Sequence, residues 1–92
     1  MVIQKGKSQI TFVYRPEADC QRVQLAGSFN DWQPDDSKMT RQKDGTYRKR
    51  LQLPPGEHRY KFLVDGKWVE DPEAERLAAN PYGTRDCVVT VE

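Results

Sequence analysis

The chain has 92 residues, enough for one small domain with a single core and far too few for a (β/α)₈ catalytic barrel of roughly 250 residues. Charged residues make up 32% and hydrophobic residues 36%, and the formal net charge is +1. No general field therefore draws the chain to nucleic acid or to an anionic membrane, and partner choice rests on local geometry.

Met1 is followed by a polar segment with no apolar run long enough for a signal peptide or a membrane span, so the expectation is a soluble cytoplasmic protein. Cys20 and Cys87 are too few and too far apart for a metal knuckle; they would pair only if the fold brought them together, and otherwise read as free thiols. No cofactor is expected.

From Ser8 to Tyr14, Ile10, Phe12 and Tyr14 alternate with Gln9, Thr11 and Val13 at strand period, and Pro16 ends the run by removing a donor. Val23 to Phe29 reads as the second strand, with Val23 and Leu25 on one face. Ser28-Phe29-Asn30-Asp31-Trp32-Gln33-Pro34-Asp35-Asp36 is dense in turn formers and reads as a loop, with Asp35 and Asp36 as solvated surface. A short strand near Met39 to Arg41 meets Thr46 to Leu53 through the turn at Lys43-Asp44-Gly45. In the latter strand Tyr47, Lys49, Leu51 and Leu53 alternate with Thr46, Arg48, Arg50 and Gln52, which makes one face basic and solvated. Pro54-Pro55-Gly56 turns the chain into the central hairpin.

That hairpin is Tyr60-Lys61-Phe62-Leu63-Val64-Asp65-Gly66-Lys67-Trp68. Asp-Gly between apolar runs suits a type I′ turn, in which both loop residues take positive φ. The register then sets Val64 against Lys67, Leu63 against Trp68 and Lys61 against Glu70. Period-two alternation assigns His58, Tyr60, Phe62 and Val64 to the core face, with His58 structural, and puts Lys61, Leu63 and Trp68 on the outward face.

Beyond it, Asp71-Pro72 suits a helix start and Asn80-Pro81 a stop, but two turns are too few to stand alone. The expectation is a loop with one helical turn at most. Cys87 to Val91 closes the chain, and about seven short strands predict an all-β antiparallel sandwich.

No nucleophile elbow, zinc-ligand set or phosphate-binding glycine loop is present. The carboxylates sit mostly in turns, whereas glycoside hydrolysis needs two of them about 5 to 9.5 Å apart across a cleft. The chain reads as a non-catalytic binder. An indole beside an ammonium on the outward face, Trp68 with Lys61, is the best functional clue in the sequence. On residue types alone, Trp32 reads equally well as a cap on the core, and Lys61 as a solvated strand lysine.

Gly27-Ser28-Phe29-Asn30-Asp31-Trp32, then Leu53-Pro54-Pro55-Gly56-Glu57-His58-Arg59-Tyr60-Lys61-Phe62-Leu63-Val64-Asp65-Gly66-Lys67-Trp68 and Asp71-Pro72, resemble the family 48 carbohydrate-binding modules in order and spacing. These include the glycogen-binding domain of the AMP-activated kinase β subunit and the N-terminal early-set domains of isoamylases and branching enzymes. The resemblance runs from about Val23 to Val91. It implies one immunoglobulin-like early-set β-sandwich domain over residues 1–92 that binds α-1,4-glucans such as glycogen, starch and maltooligosaccharides. It also implies a separately encoded glucan-metabolising enzyme or kinase-type complex as partner.

Carried across by motif, the implied sugar-binding residues are Trp32, Lys61 and Trp68, then Tyr82, Thr84 and Asp86 in place of the family's leucine, threonine and asparagine. Asp86 departs from the pattern, since a carboxylate only accepts where an asparagine also donates; Asn80 is the candidate for the missing amide.

Two other classes stand beside the glucan reading. The first is a protein-interaction domain that keeps the fold without the ligand and docks through the Arg48/Arg50 face or an edge strand. The second, a single-stranded nucleic-acid binder, is opposed by the balanced charge.

Overall fold

Short strands with one apolar face each can bury it only against another sheet, and the chain forms two antiparallel sheets laid face to face. A computed structural model describes residues 1–6, 8–33 and 37–92; Asp35 and Asp36 lie outside the described residues. Nine strands are present among those described: β1 (Val2–Lys5), β2 (Gln9–Tyr14), β3 (Val23–Gly27), β4 (Thr40–Arg41), β5 (Tyr47–Gln52), β6 (Gly56–Val64), β7 (Lys67–Val69), β8 (Arg76–Ala79) and β9 (Arg85–Val91). One sheet has the order β1-β2-β5-β4 and the other β3-β6-β9-β8, with β7 also paired to β6. No helix among the described residues is long and apolar enough to cross a membrane.

The core is the meeting of the inner faces. Ile10, Phe12, Tyr14 and Tyr47 come from the first sheet, and Val23, Leu25, Tyr60, Phe62, Cys87, Val89 and Val91 from the second. Aromatic contacts cross between them, with ring centroids 5.0 Å apart for both Phe12–Tyr60 and Tyr14–Phe62. Burial pushes the Tyr60 phenol well above its usual range and the Cys87 thiol up to about 11. Cys20 and Cys87 are both free thiols.

The hairpin register agrees with the sequence: Leu63 pairs with Trp68 and Val64 with Lys67, with Asp65 at φ 48° and Gly66 at φ 84°. The ladder ends at Phe62–Val69, so Lys61 does not face Glu70, which instead pairs with Arg85 at 3.2 Å. The chain leaves the ladder because Asp71 turns inward. It is 3% exposed, accepts from the Tyr60 hydroxyl at 2.8 Å and from the Met1 ammonium, and donates its backbone N–H to Cys87 Sγ at 3.0 Å. One turn follows, closed by Ala74 N to Asp71 O at 3.2 Å.

Other expectations are corrected. The second strand stops at Gly27, and Ser28–Asn30 forms a single 3-10 turn. Nine strands replace the expected seven because β1 and β8 are short and weakly patterned; each forms by completing the backbone ladder of a neighbour already in place. Val13, placed by alternation with Gln9 and Thr11, is fully buried, and Thr46 is buried by its hydrogen bonds to Asp44 rather than solvated. Arg50 is exposed as expected, while Arg48 is half-buried and approaches Asp44 at 4.0 Å. His58 is half-buried, and its Nε2 lies 2.8 Å from the Pro54 carbonyl oxygen, a structural contact.

Candidate functional site

The outer face of the second sheet carries the site. Trp68, opposite Leu63 on the outward face of the hairpin, is 52% exposed. Lys61 lies on the same face of β6, and Trp32 reaches it from the loop after β3.

That loop is built tightly. A Cβ on Gly27 would stand 2.2 Å from the Arg59 carbonyl oxygen and 2.5 Å from the Phe29 ring, so only glycine lets β3 and the turn approach so closely. Asn30 ties the turn down: its Oδ1 accepts from Gly27 N at 3.0 Å, and its Nδ2 donates to Leu25 O and to Ser37 Oγ, both at 3.2 Å. Trp32 N donates to Gly27 O at 2.9 Å, and both Asp31 and Trp32 take positive φ, 54° and 59°. This left-handed step leaves the indole 36% exposed, an arrangement of low intrinsic population held by the bonds around it.

A second loop, between β8 and β9, closes the other side. Asn80 organises it. Its Oδ1 accepts from Tyr82 N at 3.0 Å and Thr84 N at 3.2 Å, and its Nδ2 donates to Asp86 Oδ1 at 2.8 Å. The loop lifts Tyr82 to 89% exposure. Lys61 joins this network, donating from Nζ to Thr84 Oγ1 at 3.0 Å and lying 3.7 Å from Asp86 Oδ1. Its side chain is only 13% exposed, so it is not a freely solvated lysine. Asp86 also meets Arg59 Nη1 at 3.4 Å.

All seven residues singled out in the sequence, Trp32, Lys61, Trp68, Asn80, Tyr82, Thr84 and Asp86, line one open cleft of about 690 Å³ together with Asp31 and Pro81. Asn80 and Asp86 spend polar atoms on holding the cleft together, while the aromatic faces remain open. The sequence reading missed Asn30 and Arg59, which position these groups; for Asn30 the signal was available, an Asx residue three positions after a glycine at a strand end. Among the described residues, no group of three His, Cys, Asp or Glu side chains is placed to hold a metal ion.

Fold and cleft together define a small antiparallel β-sandwich module with an aromatic groove on one sheet. The sequence profile described as "Glycogen recognition site of AMP-activated protein kinase" matches residues 8–92, and the chain belongs to that family, of the family 48 carbohydrate-binding-module type. It is 39% identical over 80 residues to the 5'-AMP-activated protein kinase subunit beta-1 of Sus scrofa, covering 87% of this chain and 62% of that one. To the Homo sapiens subunit beta-1 it is 38% identical over 80 residues, covering 87% of this chain and 28% of the subunit. The chain thus spans less than two thirds of these relatives. A maltogenic amylase from S. marinus shares the fold, with a TM-score of 0.75 at 21% identity, over 95% of this chain and 14% of the amylase.

Proposed function

We propose that this domain binds α-1,4-glucan chains, such as glycogen, starch or maltooligosaccharides, without catalysing their reaction. The observation that carries the reading is the meeting of two partly exposed indoles, from Trp32 and Trp68, with the Lys61 ammonium in a single cleft. Each indole offers a face to the C–H side of a glucose ring, and two platforms set apart suit a curved α-linked chain better than a flat β-linked ribbon. Lys61, held by Thr84 Oγ1, supplies ammonium protons for the hydroxyl rim, and Tyr82 a third aromatic surface. Asp86 spends its oxygens on Asn80, Lys61 and Arg59, which fits a holding role and not a reacting carboxyl. The family's description and the amylase fold support the same reading.

Shallow stacking sites give weak affinity, on the order of micromolar to millimolar. The test is a tryptophan-fluorescence titration with maltoheptaose, with cellohexaose as control, on the wild type, Trp32→Ala and Trp68→Ala. A saturable response to the α-glucan alone, lost in either folded variant, is expected. No response of the wild type at millimolar maltoheptaose overturns the reading.

The relatives are subunits of AMP-activated protein kinase, and a kinase-type complex or a glucan-metabolising enzyme is the partner proposed here. Co-purification of the domain with a kinase catalytic subunit tests that part separately.

A further inference from the structure

The outer face of the second sheet does not end at the cleft. Two residues before Lys61 on β6, and on the same face, stands Arg59, about 6.6 Å further along the strand. It pairs across β6 and β9 with Val88, which in turn pairs with Arg76 of β8. This row runs parallel to the row that holds Lys61 and Asp86. Val88 points outward yet is only 3% exposed, on the strand between the two that carry the arginines.

Both guanidinium groups are held. Arg59 Nη1 donates to Ala79 O at 3.3 Å and to Asp86 Oδ2 at 3.4 Å, and Arg76 Nη2 donates to Glu57 Oε1 at 2.6 Å. The Arg59 side chain is still 45% exposed. Its two Nη1 protons are engaged, which leaves the Nε and Nη2 protons of its five donors for a ligand.

Asp86 is what joins this row to the cleft. Its Oδ1 meets Asn80 and Lys61, and its Oδ2 meets Arg59. An asparagine there would offer one acceptor oxygen in place of two and no charge to balance two cations.

We infer that Arg59 is an additional sugar-binding residue, positioned by Asp86, which extends the glucan site along β6 so that longer chains gain contacts that short ones lack. This inference rests on the glucan reading above. A glucose unit leaving the cleft beyond Lys61 passes the free guanidinium edge, which presents paired donors to the two oxygens of a vicinal diol. Because the arginine is already held in place, little side-chain freedom is lost when the sugar arrives.

The experiment is calorimetric titration with maltotriose and maltoheptaose on the wild type, Arg59→Gln, Asp86→Asn and, as the cleft control, Trp68→Ala. The quantity read is the ratio of the two Kd values. The wild type is expected to prefer maltoheptaose, and Arg59→Gln to shrink that preference by about three- to tenfold. Asp86→Asn is expected to shrink it in the same direction, whereas Trp68→Ala weakens both sugars together. If Arg59→Gln weakens both sugars by one common factor, or neither, the extension is wrong while the cleft reading stands. If the wild type binds neither sugar, the parent reading falls and the extension with it.

Discussion

Trp68→Ala separates binding from folding most sharply. The residue is 52% exposed, and since an aromatic side chain carries about 150–250 Å², roughly 100 Å² of it faces the cleft and solvent. A glucose ring laid against one face covers about half of that, so the stacking term is ~1.3 kcal/mol at about 25 cal/mol/Å², or nearly tenfold in Kd. In the fold, Trp68 pairs across the hairpin with Leu63, and a cross-strand pair of this kind is worth about 0.2–1 kcal/mol. Calorimetric titration with maltoheptaose on wild type and variant, together with thermal unfolding of both, reads the two quantities. A Kd that rises about tenfold with a Tm shift of only a few degrees is expected. A variant that binds within twofold of the wild type would refute the stacking argument, and a collapse of Tm would make Trp68 a core residue.

The loop that carries Trp32 and the buried ionisable groups give further outcomes. Gly27→Ala forces a Cβ into the Arg59 carbonyl oxygen, 2.2 Å away, and is expected to cost about 1–3 kcal/mol, lowering the Tm by about 5 °C or more; an unchanged melting curve would show that the strands can separate there. Asn30→Ala leaves Gly27 N without its acceptor and is expected to lower both stability, by about 1–3 kcal/mol, and maltoheptaose affinity. Retained affinity in that variant would mean that Trp32 needs no such anchoring. On the alkaline side, burial raises the Cys87 thiol from 9.0 to about 11 and shifts Tyr60 in the same direction. Above pH 9 the unfolded chain therefore loses protons that the folded one keeps, so the stability from Cys87 is whole below about pH 9 and is lost as pH rises through 11. Thermal melts from pH 7 to 11 should show this decline, and Cys87→Ala should flatten it; parallel slopes would rule the thiol out.

The two faces of the sandwich serve different ends through the same alternation. Inward, Tyr60 and Phe62 fill the core beside Phe12 and Tyr14. Outward, Lys61 between them and Arg59 just before are held by Asp86. The strand that stabilises the fold thus also fixes the polar part of the cleft, so the site is rigid without a separate support.

Features that depend on neighbours along the chain are legible in the residues alone. A period of two and an Asp-Gly turn are local rules, so the facing of Leu63 and Trp68, the inward set Tyr60 and Phe62, and the outward Lys61 follow from a few consecutive residues. The tertiary structure decided what comes together from far apart. β1 and β8 have little strand signal of their own and exist because β2 and β9 offer them an edge. Outward-pointing Val13 and Val88 are buried, which period-two patterning reads as exposed positions. Asp71 leaves its ladder for a pocket shared with Tyr60 and Cys87. The cleft itself joins Trp32 from one loop, Lys61 and Trp68 from the hairpin, and Asn80 to Asp86 from another loop. No local pattern encodes such a meeting, because it depends on which strands pair across the sheet, and the whole chain's burial settles that pairing.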